Sequence, residues 1–173
     1  MGWVYSLIMA WTPDQLLSFL DELDIPTTTV EHAPVFTVEE AKRVRGPLEG
    51  GHCKSLFLRN KKGAMWLVVL FEDTVVDLRR LGDVIGAGRV GFASPERLDR
   101  YLGVIPGAVT PFAVVNDTAR DVKVALERGL LECDPLHFHP LENTRTTAIS
   151  PAGLLDFLEA ANHSPTLIDQ DDF

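Results

Sequence analysis

The sequence predicts a single α+β domain with one mixed β-sheet, and three observations support this. The chain has 173 residues, 46% apolar and 24% charged, which suits one domain with a sizeable core. Helix-start signals and short apolar strands follow one another in mixed order along the chain. No repeat, linker or low-complexity segment divides it, so one domain is expected.

Capping patterns predict the first two helices. Thr12-Pro13-Asp14-Gln15 supplies an N-cap, a proline at the first helical position and a capping-box glutamine, and leucines at helical spacing follow to about Leu23. Residues 27–32 are rich in β-formers and predict a strand. Thr37-Val38-Glu39-Glu40 is a second capping box, which predicts a short second helix.

A β-hairpin is the next predicted unit. Residues 54–59 alternate in polarity and residues 64–71 are continuously apolar, and the two runs are joined by Asn60-Lys61-Lys62-Gly63. The second of these strands is therefore expected to be buried on both faces. A helix from Asp77 to Gly86 and a short strand at 89–93 follow.

The second half of the chain contains two helix starts and several strands. Ser94-Pro95-Glu96 and Ser150-Pro151 predict helices that end before Gly103 and at Ala161. Strands are predicted near Phe112–Val115, Val122–Leu126, Leu136–His139 and Thr146–Ile149. The acidic tail, Thr166–Phe173, is expected to fray.

These patterns divide the chain into an N-terminal extension at 1–11, a domain at 12–163 and an acidic tail at 164–173. The extension is apolar but lacks the basic region of a signal peptide and is too short to span a membrane. Met9, just before the first capped helix, is an alternative start. Cys53 and Cys133 form no CxxC, so neither a disulfide framework nor a cysteine zinc site is indicated. A cytoplasmic protein is predicted.

The charge distribution argues against a general nucleic-acid coat but leaves one local exception. The formal net charge is −9, yet seven of the sixteen basic residues lie between residues 42 and 62, with Glu49 the one acid there. This window offers a landing face for a phosphate-bearing ligand, although solvated surface charges explain Lys61 and Lys62 better. Lys54 differs, because it begins an otherwise apolar strand and can point inward at the sheet end.

Familiar catalytic signatures are absent. There is no G-x-S-x-G, P-loop or H-E-x-x-H motif, and Cys53 is the one candidate nucleophile, with a small buried hydrophobic role favoured instead. His137 and His139 share a strand face at i and i+2 while Phe138 faces the other way, but no supporting ligand lies near them. No metal or other cofactor is predicted.

The loop from Gly107 to Pro111 is the other candidate for chemistry. Glycine allows a positive φ and close ligand approach, and prolines stiffen both sides, which leaves the amides of residues 107–110 available to a carbonyl oxygen or developing oxyanion. An ordinary tight connection between a helix and a strand explains the loop equally well.

Taken in order, four segments resemble one family. They are Glu31-His32-x-Pro34-Val35-Phe36-Thr37 with Glu39-Glu40-Ala41, Lys54-Ser55-Leu56-Phe57-Leu58, the GxxxP element Gly107–Pro111 continuing through Phe112 to Asn116-Asp117, and His139-Pro140-Leu141-x-Asn143-x-x-Thr146-Thr147. From about Thr12 to Ala161 the chain resembles the YbaK-like free-standing aminoacyl-tRNA editing domains, related to the insertion domain of bacterial prolyl-tRNA synthetase. The resemblance implies a mixed, curved sheet with surrounding helices and a metal-free hydrolysis of the 3′ ester of mischarged aminoacyl-tRNA.

The resemblance also implies roles for particular residues. The loop amides at Gly107 and Ala108 polarise the ester carbonyl, Lys54 holds the terminal nucleotide, and His139 orients the aminoacyl end. A ribose hydroxyl of the substrate helps to activate water. The further residues expected to contact the substrate are Phe36, Thr37, Thr110, Pro111, Asn116 and Phe138, and those expected to contact tRNA are Lys42, Arg43 and Arg45.

The branch that the chain most resembles is the alanyl-tRNA(Pro) deacylases. Alanine is the expected error of a proline enzyme, because a pocket for proline excludes a smaller apolar side chain by a few kcal/mol at most. Two alternatives stay open: a deacylase for Cys-tRNA(Pro) or another small noncognate aminoacyl-tRNA, and a non-catalytic domain that binds aminoacyl-tRNA or a synthetase. The expected partners are the acceptor end of tRNA(Pro) and either prolyl-tRNA synthetase or an elongation factor, with no membrane.

Overall fold

The structure, a computed structural model, describes residues 9–46 and 48–173. The first eight residues of the expected N-terminal extension lie outside the described residues. The α-helices are α1 (Pro13–Glu22), α2 (Val38–Arg45), α3 (Leu78–Val84), α4 (Pro95–Leu102) and α5 (Pro151–Ala160). The strands are β1 (Thr27–Glu31), β2 (Gly51–Asn60), β3 (Met65–Phe71), β4 (Val90–Phe92), β5 (Val122–Glu127), β6 (Leu136–Phe138), β7 (Arg145–Ile149) and β8 (Thr166–Ile168). The 3₁₀ helices are Pro111–Asn116, Arg128–Glu132 and Gln170–Asp172.

The capping patterns form as the sequence predicts. The hydroxyl of Thr12 accepts the N–H of Gln15 at 3.2 Å, and the N–H of Thr12 donates to Oε1 of Gln15 at 2.8 Å, which completes the capping box of α1. Ser94 and Ser150 cap α4 and α5 with a proline at the first helical position. The predicted starts of these three helices are confirmed.

The strands form one mixed sheet in the order β1-β7-β6-β2-β3-β5-β8. Strands β2 and β3 are the predicted hairpin, and the pairs β2–β6, β3–β5 and β5–β8 are parallel. The long strand β2 pairs with β6 at its beginning and with β4 at its end. The mixed α+β fold is confirmed.

Apolar side chains cover the two sides of the sheet unequally. The larger core holds residues of α1, α4 and α5 against one face, and the smaller core holds α3 and the C-terminal residues against the other. Strand β3 contributes to both, which explains its continuous apolar run. The second face is left without a core beside β1, β7, β6 and the start of β2, where a cavity opens.

Two predictions for the fold are wrong. Residues 112–115 form a 3₁₀ helix rather than a strand, because Pro111 begins it and the hydroxyl of Thr110 accepts the N–H of Phe112 at 3.3 Å. The acidic tail is packed rather than frayed. Within the tail, β8 pairs with β5. The side chain of Phe173 is 6% exposed and lies in the smaller core.

Within residues 9–46 and 48–173, the helices are all too short or too polar to cross a lipid bilayer.

Candidate active site

A cavity of about 420 Å³ lies between α2 and the uncovered face of the sheet. Side chains alternate between the two faces along each strand, and the register places one set of residues on this face. These residues, which line the floor of the cavity, are Val30, His52, Lys54, His137 and Thr146. The family-like segments, far apart in sequence, therefore meet at one site.

Helix α2 lies across the cavity and has no buried side chain of its own. Thr37 caps it by accepting the N–H of Glu40 at 3.1 Å. In a capping box the Glu40 side chain would accept the N–H of Thr37. Here the Glu40 carboxylate accepts the N–H of Phe36 instead, at 2.7 Å. Phe36 and Thr37 both line the cavity, and the Phe36 ring is 62% exposed at its mouth.

Lys54 lines the cavity at the point where β2 enters the sheet. Its Nζ donates a hydrogen bond to the backbone carbonyl of Thr74, in the turn after β3. No carboxylate among the described residues lies within 4 Å of this ammonium. The prediction that Lys54 points inward is confirmed.

The loop that precedes the Pro111–Asn116 helix brings Gly107 to the cavity. Gly107 has φ +90°, and an added Cβ would lie 3.1 Å from Cδ1 of Phe36. Within the described part of the chain, the N–H groups of Gly107 and Val109 donate to no protein acceptor, and both residues line the cavity. Ala108 differs from the prediction, because its N–H donates to the carbonyl of Ile105 at 3.0 Å and its side chain is fully buried. The available amides are therefore those of Gly107 and Val109.

His139 follows β6 and also lines the cavity. Its Nδ1 donates to the carbonyl of Arg145 at 2.9 Å, which leaves Nε2 of the neutral ring as an acceptor. Burial lowers the pKa of His139 below its ordinary value, the hydrogen bond to Arg145 opposes this, and the neighbouring His32 lowers the pKa further. The ring is thus neutral near pH 7.

Two further histidines stack at the other end of the cavity. The rings of His52 and His137 are parallel within 9°, with centroids 4.8 Å apart. Their Nε2 atoms donate to the carbonyls of Leu48 at 2.7 Å and Glu49 at 2.8 Å. The pair therefore fastens the segment after α2 to the sheet. Burial, together with His52, lowers the pKa of His137 despite its hydrogen bond.

The thiol of Cys53 is unsuited to nucleophilic attack. Burial, reinforced by the nearby Cys133 and acidic residues, raises the pKa of Cys53 and keeps it protonated. Among the described residues, no three side chains of histidine, cysteine, aspartate or glutamate cluster in a way that could hold a metal ion.

The basic window at residues 42–62 does not form one face. Lys61 and Lys62 lie in the hairpin turn, six or more strand residues beyond Lys54, a separation of about 20 Å. Near the cavity, Arg45 makes two hydrogen bonds to Glu72, at 2.7 and 3.0 Å, and Lys42 pairs with Asp73. The hydrogen bond between Lys42 and Asp73 raises the pKa of Lys42 and lowers that of Asp73.

Of the three basic residues expected to contact tRNA, only Arg43 has no ion pair with a described residue. Arg45 lines the cavity, whereas Lys42 and Arg43 lie outside its lining.

Three expected substrate residues lie outside the cavity lining. Thr110 and Pro111 are buried at the start of the 3₁₀ helix and do not line the cavity. Asn116 accepts the N–H of Trp11 at 2.8 Å and donates to the carbonyl of Leu102 at 2.9 Å, so its amide joins Trp11 to the end of α4.

Phe138 borders the cavity but belongs to the larger core. Its ring is 5% exposed and meets that of Phe112 edge to face, with centroids 5.8 Å apart and an interplanar angle of 81°. The alternation of His137, Phe138 and His139 predicted from the sequence is thus confirmed.

His32 and His52 are two histidines of the cavity lining that the sequence interpretation did not assign to the site. His32 donates from Nδ1 to the carbonyl of Ala33 at 2.8 Å, and its Nε2 is 2.7 Å from the hydroxyl of Thr146. The sequence does place His52 at this site, because residues two apart in a strand share a face and His52 precedes Lys54 by two.

Comparison with known proteins gives matches over most of the chain. The sequence model of the aminoacyl-tRNA editing domain matches residues 32–157. The prolyl-tRNA editing protein ProX of Acetoanaerobium sticklandii is 38% identical over 146 residues, which covers 84% of this chain and 89% of ProX.

A vertebrate relative and a solved structure extend this likeness. The prolyl-tRNA synthetase associated domain-containing protein 1 of Danio rerio is 39% identical over 159 residues, covering 91% of this chain and 86% of the relative. The crystal structure of hypothetical protein APE2540 superposes with a TM-score of 0.71 at 19% identity, covering 89% of this chain and 97% of that one. The latter likeness concerns the fold alone.

Proposed function

The chain belongs to the aminoacyl-tRNA editing domain family, whose members are deacylases, and from this premise we propose that it edits mischarged tRNA(Pro) in trans, with Ala-tRNA(Pro) as its substrate. The products are free alanine and tRNA(Pro). The observation that carries the proposal is the meeting of Lys54, Gly107 and His139, from three distant segments, around one cavity of about 420 Å³.

The unpaired amides supply the carbonyl polarisation that ester hydrolysis needs. N–H groups fixed in a rigid loop stabilise negative charge on the carbonyl oxygen as water attacks. The water oxygen bonds to the ester carbon, the bond from that carbon to the ribose oxygen breaks, and a proton from the water ends on the ribose oxygen. Gly107 and Val109 are the proposed donors, in place of the expected pair of Gly107 and Ala108.

His139 and Lys54 position the substrate in this proposal. The acceptor atom Nε2 of His139 orients the α-amino group of the aminoacyl end, which is an ammonium donor. Lys54 carries a positive charge at the cavity edge and holds the phosphate or ribose of the terminal nucleotide. Neither role requires a metal ion.

The apolar lining supports selectivity by size. Val30, Val35 and the exposed ring of Phe36 give a wall suited to a methyl group. A second sieve for a proline enzyme has to admit alanine and reject the larger proline ring. The close approach of Phe36 to Gly107 limits the space beside the ester carbonyl, so we assign the exclusion of proline to this contact.

Binding of tRNA is proposed to be weak and to depend on salt. Lys42 and Arg45 are already paired with Glu72 and Asp73, which leaves fewer cations for phosphates than the sequence indicates. Arg43 and Lys54 are the proposed phosphate contacts. A synthetase or elongation factor that presents the charged tRNA would compensate for the low affinity.

The deciding experiment is a deacylation assay of the pure protein on tRNA(Pro) charged with alanine, cysteine, serine or proline. We expect alanine to be released fastest and proline to be stable, with the variant Lys61→Ala as a folded control at the remote turn. Preferential release of cysteine or serine would reassign the substrate. Release of proline as fast as alanine would refute editing, because the enzyme would destroy the cognate product.

A further inference from the structure

Glu127 is the last residue of β5, and its side chain is buried. It does not line the cavity. Its Oε2 accepts the N–H of Phe71 at 2.9 Å and the hydroxyl of Thr74 at 2.9 Å. The N–H of Thr74 also donates to the carbonyl of Phe71 at 3.1 Å, which closes a turn over residues 71–74. A buried carboxylate is costly unless its oxygens are hydrogen-bonded, so these contacts hold the turn in one position.

The same 71–74 turn also contacts Lys54, which lines the cavity. The carbonyl of Thr74 accepts the hydrogen bond from Nζ of Lys54. Thr74 therefore contacts Glu127 through its hydroxyl and Lys54 through its carbonyl. Two hydrogen bonds connect a buried carboxylate of β5 to an ammonium at the cavity.

Lys54 depends on this connection for its orientation. A lysine ammonium ends a flexible four-carbon chain, so its position is set by the acceptors around it. The carbonyl of Thr74 is its hydrogen-bond acceptor among the described residues, and no carboxylate there lies within 4 Å. A shift of the turn would therefore move or release the ammonium.

We propose that Glu127 is a positioning residue for Lys54 and acts through Thr74. The proposal rests on the deacylase function proposed above, in which Lys54 touches the substrate. It assigns Glu127 a role through hydrogen bonds rather than through charge. Glu127→Gln keeps an oxygen that accepts from both Phe71 and Thr74, whereas Glu127→Ala removes the acceptor and Thr74→Val removes the hydroxyl donor alone.

The first measurement is the acetylation rate of Lys54 by acetic anhydride, followed by peptide mass spectrometry, with Lys61 and Lys62 of the same molecule as internal references. We expect the rate of Lys54 relative to these turn lysines to rise about threefold in Glu127→Ala and Thr74→Val as its hydrogen bond loosens. The second measurement is kcat/KM on Ala-tRNA(Pro), expected to fall about tenfold in both variants. Glu127→Gln should stay within about twofold of the unmodified protein in both measurements.

The matched control is Asp117→Asn. Asp117 is also a buried carboxylate that accepts two backbone N–H groups, at 3.1 and 2.8 Å, but it lies away from the cavity lining. We expect its substitution to lower the melting temperature without changing the relative acetylation of Lys54 or kcat/KM. A loss of activity caused by general destabilisation would appear in this control as well.

An unchanged acetylation ratio in folded Glu127→Ala, or a changed ratio with unchanged kcat/KM, would overturn the proposal. If Glu127→Ala fails to fold, Thr74→Val decides by the same two readouts, because it removes a single hydroxyl. If the unmodified protein hydrolyses none of the charged tRNAs, the proposed function fails separately, and the acetylation ratio still tests whether Glu127 orients Lys54.

Discussion

Gly107 and Phe36 lie in contact across the mouth of the cavity: a Cβ built on Gly107 would be 3.1 Å from Cδ1 of Phe36 and 3.4 Å from its Cα. Two features favour glycine at position 107: its φ of +90°, which other residues rarely adopt, and the Phe36 ring, which leaves little room for a side chain.

Gly107→Ala is expected to reduce kcat/KM on Ala-tRNA(Pro) by about 100-fold, because the added methyl group shifts an amide that polarises the ester carbonyl. The backbone strain alone costs roughly 1–2 kcal/mol of folding free energy. Gly63→Ala is the matched control, since Gly63 has φ +84° but no atom within 4 Å of the added Cβ. Equal activity of the two variants would contradict a role for the Gly107 loop in catalysis.

Lys54→Ala is expected to lower deacylation by about 100-fold or more through loss of a charged contact to the terminal nucleotide. The melting temperature should barely change, because Lys54 is partly exposed and has no carboxylate partner among the described residues. Lys61→Ala, in the distant hairpin turn, serves as the control. A near-normal rate for Lys54→Ala would remove this lysine from the mechanism.

The protonation of His139 predicts an acid limb in the pH–activity profile. Burial lowers the pKa of this histidine below 6.5, so the ring is neutral and Nε2 accepts hydrogen bonds at pH 7. As pH falls through this lowered pKa, the ring gains a proton, Nε2 becomes a donor and kcat/KM decreases. The profile of His139→Gln should lack this limb, whereas that of His137→Gln should retain it. An unchanged limb in His139→Gln would assign the titration to another group.

Phe138→Ala is expected to destabilise the fold by about 3–5 kcal/mol, because it leaves a cavity beside Phe112 in the larger core. The preference for Ala-tRNA(Pro) over Pro-tRNA(Pro) should remain. Phe36→Ala provides the contrast: its exposed ring contributes little to stability, and its loss should increase hydrolysis of Pro-tRNA(Pro). Thermal denaturation and the two deacylation rates separate these outcomes, and relaxed selectivity in Phe138→Ala would make its ring a wall of the pocket.

Asp117 predicts an acid-dependent part of the stability. Burial raises its pKa, but hydrogen bonds from His163 and from the N–H groups of Val122 and Asp121 outweigh this and hold the pKa below 3.8. A carboxyl whose pKa is lower in the folded state stabilises above its unfolded pKa, and that contribution disappears as pH falls through the folded value. Asp117→Asn should cost about 3 kcal/mol at pH 7.

Urea denaturation at several pH values tests this expectation. The difference between Asp117→Asn and the unmodified protein should shrink as pH falls below 3.8. Asp169→Asn, at an exposed ion pair with Arg128, should change the stability little at any pH. A difference independent of pH would show that packing, rather than the charge of Asp117, accounts for the loss.

Local signals in the sequence predicted much of the fold. Thr12, Ser94 and Ser150 identified helix starts because a capping side chain and its amide partner lie within four residues. The apolar run at 112–115 was wrongly predicted as a strand, because the sequence of a buried apolar segment has no periodicity that distinguishes a strand from a 3₁₀ helix. The tail misled because its acidic residues obscured Leu167, Ile168 and Phe173, whose partners lie far away in the sequence.

The position of a residue at the cavity was predictable where alternation or a family pattern applied, as with Lys54, Gly107 and His139. Pairing between distant side chains was not. Nothing near Arg45 in sequence indicates that Glu72 will neutralise it, and nothing near Asn116 indicates that Trp11 and Leu102 will use its amide. Such contacts are fixed by the sheet order, which local patterns do not reveal.

The pairing of β1 with β7 also sets the order in which the molecule can assemble. Their hydroxyl-to-hydroxyl contact, Thr29 to Thr147, spans 118 positions, whereas the β2–β3 hairpin closes over a four-residue turn. Closing a long loop costs more chain entropy and slows folding, so we expect the hairpin to form early and the β1–β7 part of the cavity floor to form late. During synthesis, a nascent chain that has not yet released residue 149 from the ribosome lacks the β1–β7 pair and with it one side of the pocket.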